Sequence, residues 1–305
     1  MSRSALLFLA VVAAGAGCRK SGGTAGHGGA LLAAEPIVVR NVDFASPTSV
    51  AHDPLTDVYL VSSIRGAPLA AHDSGFISVV SAEGRVLALK WIDGAADSVT
   101  LNAPRGIAAA GDFLFVTDID RVRRFDRRTG GPRGEVEVKG ATWLSGMSAR
   151  DDGSVYFTDA GLRPGANGPE PSGTDAVYRL EAGGRLDTLA RGASLGRPAA
   201  VAVSGDSVWV VASGSGELFR VANGGKADVV KLPKSGLDGL VVVNGDAFVS
   251  SRDGRSILRG PLGGPFTEIL TGIGIPAGLG HDLWRHRLLF AAPADHEIQI
   301  VPLTP

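Results

Sequence analysis

From residue 37 onward the apolar positions fall in short runs rich in β-branched and aromatic residues, broken by Gly, Asp and Asn. A helical 3.6-residue period appears over no useful length. A short motif recurs six times: Pro47-Thr48-Ser49-Val50, Pro104-Arg105-Gly106-Ile107, Leu144-Ser145-Gly146-Met147, Pro198-Ala199-Ala200-Val201, Leu237-Asp238-Gly239-Leu240 and Pro276-Ala277-Gly278-Leu279. Its second residues lie 57, 40, 54, 39 and 39 positions apart. Each motif opens a strand, and a turn leads to a second one: Val58–Val61, Phe113–Thr117, Val155–Thr158, Val208–Ala212, Ala247–Ser250 and Leu288–Ala291. Third strands are predicted at Ile77–Ser81, Val122–Asp126, Val177–Leu180, Leu218–Val221, Ile257–Arg259 and Glu297–Pro302. Outer strands follow at Val86–Trp91, Glu135–Lys139, Leu186–Ala190, Val229–Leu232 and Phe266–Leu270. Repeats of this length, each with four short strands, predict an all-β fold, a six-bladed β-propeller over residues 36–305. The sixth unit lacks an outer strand of its own, and Ile37–Asn41 is placed to supply it, which would remove the sheet edges at the join.

Two spacings exceed the others, and the extra residues fall at Ile64–Gly75 in unit one and Gly161–Asp175 in unit three. In an antiparallel blade, returns between strands two and three lie on the face where the first strands begin. Both loops therefore overhang the channel mouth near Arg105, as a binding surface or as surface loops without a role.

The N-terminus changes the picture. Arg3 precedes an apolar run, Ala5–Ala14, of signal-peptide length and too short to span a bilayer; small residues and then Cys18 follow. Gly15-Ala16-Gly17-Cys18 resembles a lipoprotein lipobox, with Gly15 in place of the usual Leu, so residues 1–17 read as a signal peptide and Cys18 as a lipidation site. Cleavage after Ala14-Gly15-Ala16 is the rival reading and would leave Cys18 a free thiol. Residues 18–35, rich in Gly, Ala and Ser, read as a flexible tether. Either route exports the chain, with the cell envelope, facing the periplasm or on the outer membrane, as destination. Charge is balanced, 30 Lys and Arg against 31 Asp and Glu, so no broad basic surface for nucleic acid is expected. The single cysteine rules out an intrachain disulfide, and 43 glycines suit a folded chain with many tight turns.

The segments NAPRGIAAAGDFLFVTDIDRVRRFD, DDGSVYFTDAG and GLDGLVVV resemble the gluconolactonase/regucalcin (senescence marker protein) family of six-bladed propellers, over about residues 41–303, and more distantly NHL-repeat propellers. The resemblance implies one divalent cation in the central channel, held by a Glu, two Asn and an Asp at the starts of blades, polarising a lactone carbonyl or activating water. Position by position, Asp238 agrees with the family aspartate. Ala199 replaces one asparagine, Leu144-Ser145 stands where the other lies, and the glutamate falls at Pro47 or Thr48. Asp238 is the one metal-ligand candidate that remains, and no cofactor is expected, with calcium or zinc as the alternative.

Thr48, Arg105, Ser145 and Asp238 are the candidate ligand-binding residues around the channel. Arg105 and Asp238, on opposite blades, either pair with each other or leave Arg105 to capture an anionic or hydroxylated ligand. The leading functional reading is an extracytoplasmic, membrane-anchored lipoprotein whose propeller binds a small ligand or an envelope protein partner, its hydrolytic metal site lost. It is expected to be monomeric, to touch the membrane only through its lipid and to bind no nucleic acid. The alternatives are a divalent-metal-dependent lactonase or esterase with a rearranged site, and a scaffold using the two loops. No catalytic residue is singled out. Asp118 and Asp159 read as turn caps, the histidines as surface residues, and Trp91, Trp143, Trp209 and Trp284 as packing between blades. Ser62-Ser63 and Ser250-Ser251 lack a nucleophile elbow.

Overall fold

The computed structural model describes residues 35–303; the predicted signal peptide, Cys18 and nearly all of the tether lie outside them. The described chain forms six four-stranded antiparallel sheets, plus one two-stranded hairpin. Blade one comprises Pro47–Asp53, Val58–Ser63, Phe76–Ser81 and Val86–Asp93, and blade two Pro104–Ala110, Phe113–Asp118, Arg121–Asp126 and Pro132–Glu137. Blade three comprises Leu144–Ala149, Val155–Asp159, Ala176–Leu180 and Leu186–Arg191, and blade four Pro198–Ser204, Ser207–Ala212, Glu217–Ala222 and Gly225–Lys231. Blade five runs Leu237–Val243, Asp246–Ser251, Ser256–Pro261 and Thr267–Thr271. Blade six has Leu279–Asp282, Arg287–Ala292 and Glu297–Pro302, and its outer strand is Ile37–Val39 from the other end of the fold. The closing register pairs Ile37 with Ile300 and Val39 with Ile298. This six-bladed arrangement with a non-local closure is the one the repeat predicts.

The core lies between blades rather than inside any one of them. Phe115 of blade two meets Phe157 and Tyr178 of blade three, and Trp209 of blade four packs with Leu258 of blade five. Across the seam, Tyr59 of blade one packs with Leu289 and Ile300 of blade six.

The repeat motif acquires a physical meaning in this ring. Its second residue presents a backbone carbonyl to a hydroxyl on the second strand of the preceding blade. Ser62 donates to Arg105 O at 2.7 Å, Thr117 to Ser145 O at 2.7 Å, Thr158 to Ala199 O at 3.1 Å and Ser250 to Ala277 O at 2.7 Å. The paired serines thus clasp neighbouring blades, at Ser62 and Ser250. The motif's third residue is small because the next blade's backbone lies against it. A Cβ on Gly106 would sit 2.5 Å from Ser145 O, inside any tolerated contact.

Two differences from the sequence reading concern weakly patterned segments. The outer strands of blades two and four lie a few residues earlier than expected, at Pro132–Glu137 and Gly225–Lys231. Neither contains a buried residue, so their apolar residues do not mark the pairing, which the preceding turn sets. The insertion at Gly161–Asp175 carries its own short hairpin, Leu162–Arg163 with Glu170–Pro171. Asp118 and Asp159 also do more than cap the following turn. Asp118 accepts from the backbone N–H groups of Asn102 and Ala103, and Asp159 from those of Thr142, Trp143 and Gly161. Each therefore fastens the crossover that feeds the first strand of its own blade.

Candidate functional site

All inner strands start at one end of the channel, and there the structure holds a cavity of about 430 Å³. Thr48, Arg105, Ser145 and Asp238 all line it, as do Ile64 and Pro68 from the first insertion and Leu162 and Pro169 from the second. The walls are mostly apolar, and Arg105, Arg252 and Asp238 are the charged lining residues.

Arg105 does not pair with Asp238. No carboxylate among the described residues lies within ion-pair distance of its guanidinium; Asp238 Oδ2 instead accepts from Arg252 Nη1 at 3.3 Å. The Arg105 guanidinium rests on the Trp143 ring, 4.1 Å from its centroid. Burial pushes the Arg105 pKa down to about 10; the nearby Asp238 charge opposes this and Arg252 adds to it. The group stays charged at neutral pH, with stacking rather than a counter-ion as its support.

Trp143 and Arg252 are site residues that sequence reasoning missed, and Trp143 carries more of the argument. Trp143 is 8 % exposed, as a packing residue would be, yet it lines the cavity. Asp159 holds its backbone N–H at 3.0 Å, so a buried carboxylate on blade three positions the indole under an arginine of blade two. Burial raises the Asp159 pKa, while those backbone donors oppose the rise. The available signal was the order Trp143-Leu144-Ser145, which puts an aromatic one residue ahead of a motif.

The other candidates have structural partners or sit elsewhere. The Thr48 hydroxyl donates to Pro104 O at 2.8 Å and lies 2.9 Å from Ser62 Oγ, joining the clasp between blades one and two. Ser145 is nearly buried at the cavity wall, and Ala199 is buried. His52 is not at the surface: its side chain is 3 % exposed, wedged between the Tyr59 and Trp284 rings with Asp57 at 3.2 Å. Trp284 is not packed between blades but 58 % exposed. Among the described residues, no three His, Cys, Asp or Glu side chains converge as a metal-binding group. Nor does any described helix have the length and apolarity to cross a membrane.

No protein-family model matches the chain, and no curated protein matches its sequence. Solved structures do match. A gluconolactonase from Xanthomonas campestris superposes with a TM-score of 0.64 at 18 % identity, covering 90 % of this chain and 96 % of that one. Virginiamycin B lyase from Staphylococcus aureus gives 0.62 at 15 %, with 88 % and 99 % covered. An auxiliary nutrient binding protein from Bacteroides thetaiotaomicron gives 0.59 at 12 %, with 85 % and 69 % covered. At these identities the likeness is one of fold, and that fold is the β-propeller that the repeat motifs predict.

Proposed function

We propose that the protein is an exported, lipid-anchored propeller of the cell envelope that captures a small organic anion with an apolar body at its channel mouth. The observation that carries this reading is the Arg105 guanidinium: charged, stacked on Trp143, without a carboxylate partner, and at the wall of an apolar cavity overhung by two insertions. A guanidinium whose face is covered by an indole keeps its N–H edge for a planar acceptor, and a carboxylate can engage it with two parallel hydrogen bonds. The apolar walls would take the rest of the ligand, which is how small-molecule pockets divide orientation from affinity.

The same residues argue against a divalent cation. Asp238 is already engaged by Arg252, Ala199 offers no donor, the Thr48 hydroxyl is committed to a blade clasp, and Arg105 places a second positive charge on the cavity. A calcium or zinc ion there would face two guanidinium groups with one carboxylate. The donor set does not fit the ion.

Isothermal calorimetry against a panel of aliphatic and aromatic carboxylates tests the reading. Binding by the wild type, weakened about 10- to 100-fold in Arg105→Gln, is the expected result. Calcium, zinc and manganese should give no saturable thermal shift. A shift that Asp238→Ala removes, with no carboxylate bound, would restore the metal-dependent hydrolase.

A further inference from the structure

The face opposite the cavity carries an unusual surface. The exposed large apolar residues include Leu283 at 67 % and Trp284 at 58 %, in the turn between the first two strands of blade six. Leu55 lies in the corresponding turn of blade one, and the two turns are joined: Arg285 donates to both oxygens of Asp57, at 2.6 and 2.7 Å. Trp284 is held by its edge-on contact with buried His52, 5.4 Å between ring centroids, so an exposed indole is fixed by a preorganised support. A groove of about 210 Å³ opens on the same side between blades one and two, with Leu87 and Trp91 beside Arg128.

The chain from the N-terminus joins the propeller at this seam. Ile37 pairs with Ile300 near the end of the strand Glu297–Pro302, which runs away from the mouth. Its Cγ2 atom lies 2.7 Å from where a Cβ on Gly84 would be, in the turn that precedes blade one's outer strand. The Arg287 side chain of blade six donates to Ala82 O of that turn at 2.6 Å. The closing strand therefore brings residues 35 and 36 in on the side away from the cavity, the side that also carries the Leu283–Trp284 turn. In sequence, residues 19–35 separate Cys18 from this point.

We infer that this seam is a membrane-seating surface: Trp284 and Leu283 enter the interfacial layer of the phospholipid bilayer that carries the Cys18 lipid, so that the cavity opens away from the membrane. The inference rests on the lipid-anchor reading for its tether. Tryptophan favours the headgroup interface because its ring is apolar and its N–H is polar, and a lipid chain gains stable anchorage from a second contact.

The full chain, on vesicles of phosphatidylethanolamine and phosphatidylglycerol with brominated acyl chains, tests this. Flotation with the vesicles reads the anchor, and tryptophan quenching reads the face. Quenching in the wild type and in Trp209→Phe, lost in Trp284→Phe, is the expected result. Floating chains without quenching, or with quenching that Trp284→Phe leaves intact, would overturn the seating surface and leave the patch facing water or a protein. If the chain does not float, the anchor reading fails by itself. An N-terminal histidine tag on nickel-chelating lipids then supplies the tether, and the same comparison of Trp284→Phe with the wild type decides the face.

Discussion

Arg105 and Arg285 show how a single guanidinium takes opposite roles in this fold. Arg285 is matched by Asp57 and Asp282 and ties blade six to blade one; Arg105 has an indole where a carboxylate would be. Hydrogen bonds from Arg285 hold the Asp57 pKa down to about 2 from 3.8, against the opposing cost of burial and with a further lowering from His52. A carboxylate whose pKa is lower in the folded state stabilises the fold above its unfolded value, and that contribution disappears as pH falls through the folded one. Asp57→Asn is therefore expected to lower the melting temperature near pH 6 by about 1–2 °C, a small amount because solvent screens a half-exposed pair. The difference should shrink from pH 4 downward and vanish near pH 2, as scanning calorimetry across that range would show. The buried place of His52 could not be read from its neighbours in sequence, because the rings and carboxylates around it come from both ends of the chain.

The strand is the scale at which the repeat becomes intelligible. The motif looks like a pattern of small and apolar residues, but its conformation is dictated by the hydroxyl of one blade and the backbone of the next. Thr117 Oγ1 donates to Ser145 O and accepts from Gly106 N at 2.8 Å, so one side chain satisfies two buried backbone groups on two blades. Thr117→Val should leave both unpaired and cost about 2 kcal/mol in urea unfolding, whereas Thr117→Ser, which keeps the hydroxyl, should cost under half of that. Blades four and six have Val211 and Ala291 at the equivalent position, so the clasp is not universal; blade six is tied to blade one instead by Arg285 on Asp57 and by the Tyr59 hydroxyl donating to Asp282. The second and third strands were legible because they are buried, β-branched and continuous. The outer strands of blades two and four were not, since edge strands without a buried residue carry little apolar pattern.

For the whole molecule, closure decides stability. Ile37–Val39 covers the edge of Glu297–Pro302, and each of its three residues is paired. A chain starting after Val39 should lose several degrees of melting temperature. It should also associate with rising concentration, detectable by light scattering, because a bare strand edge is a template for another chain. The orientation of the binding face is fixed at this scale too. The polarity of that one strand brings the N-terminal segment in on the side opposite the cavity.

The sequence by itself determined the number of blades, the closing strand, the positions of the insertions and the four candidate residues that meet at one cavity. These follow from periodicity and strand polarity, which are local properties repeated along the chain. Only the tertiary structure decided that Asp238 faces Arg252 rather than Arg105, that Trp143 supports Arg105, and that Trp284 stands exposed on His52. Asp238 meets Arg252 at the open end of its own hairpin in blade five, whereas Trp143 and Trp284 meet partners on neighbouring blades, at distances between blades that no spacing along the chain encodes.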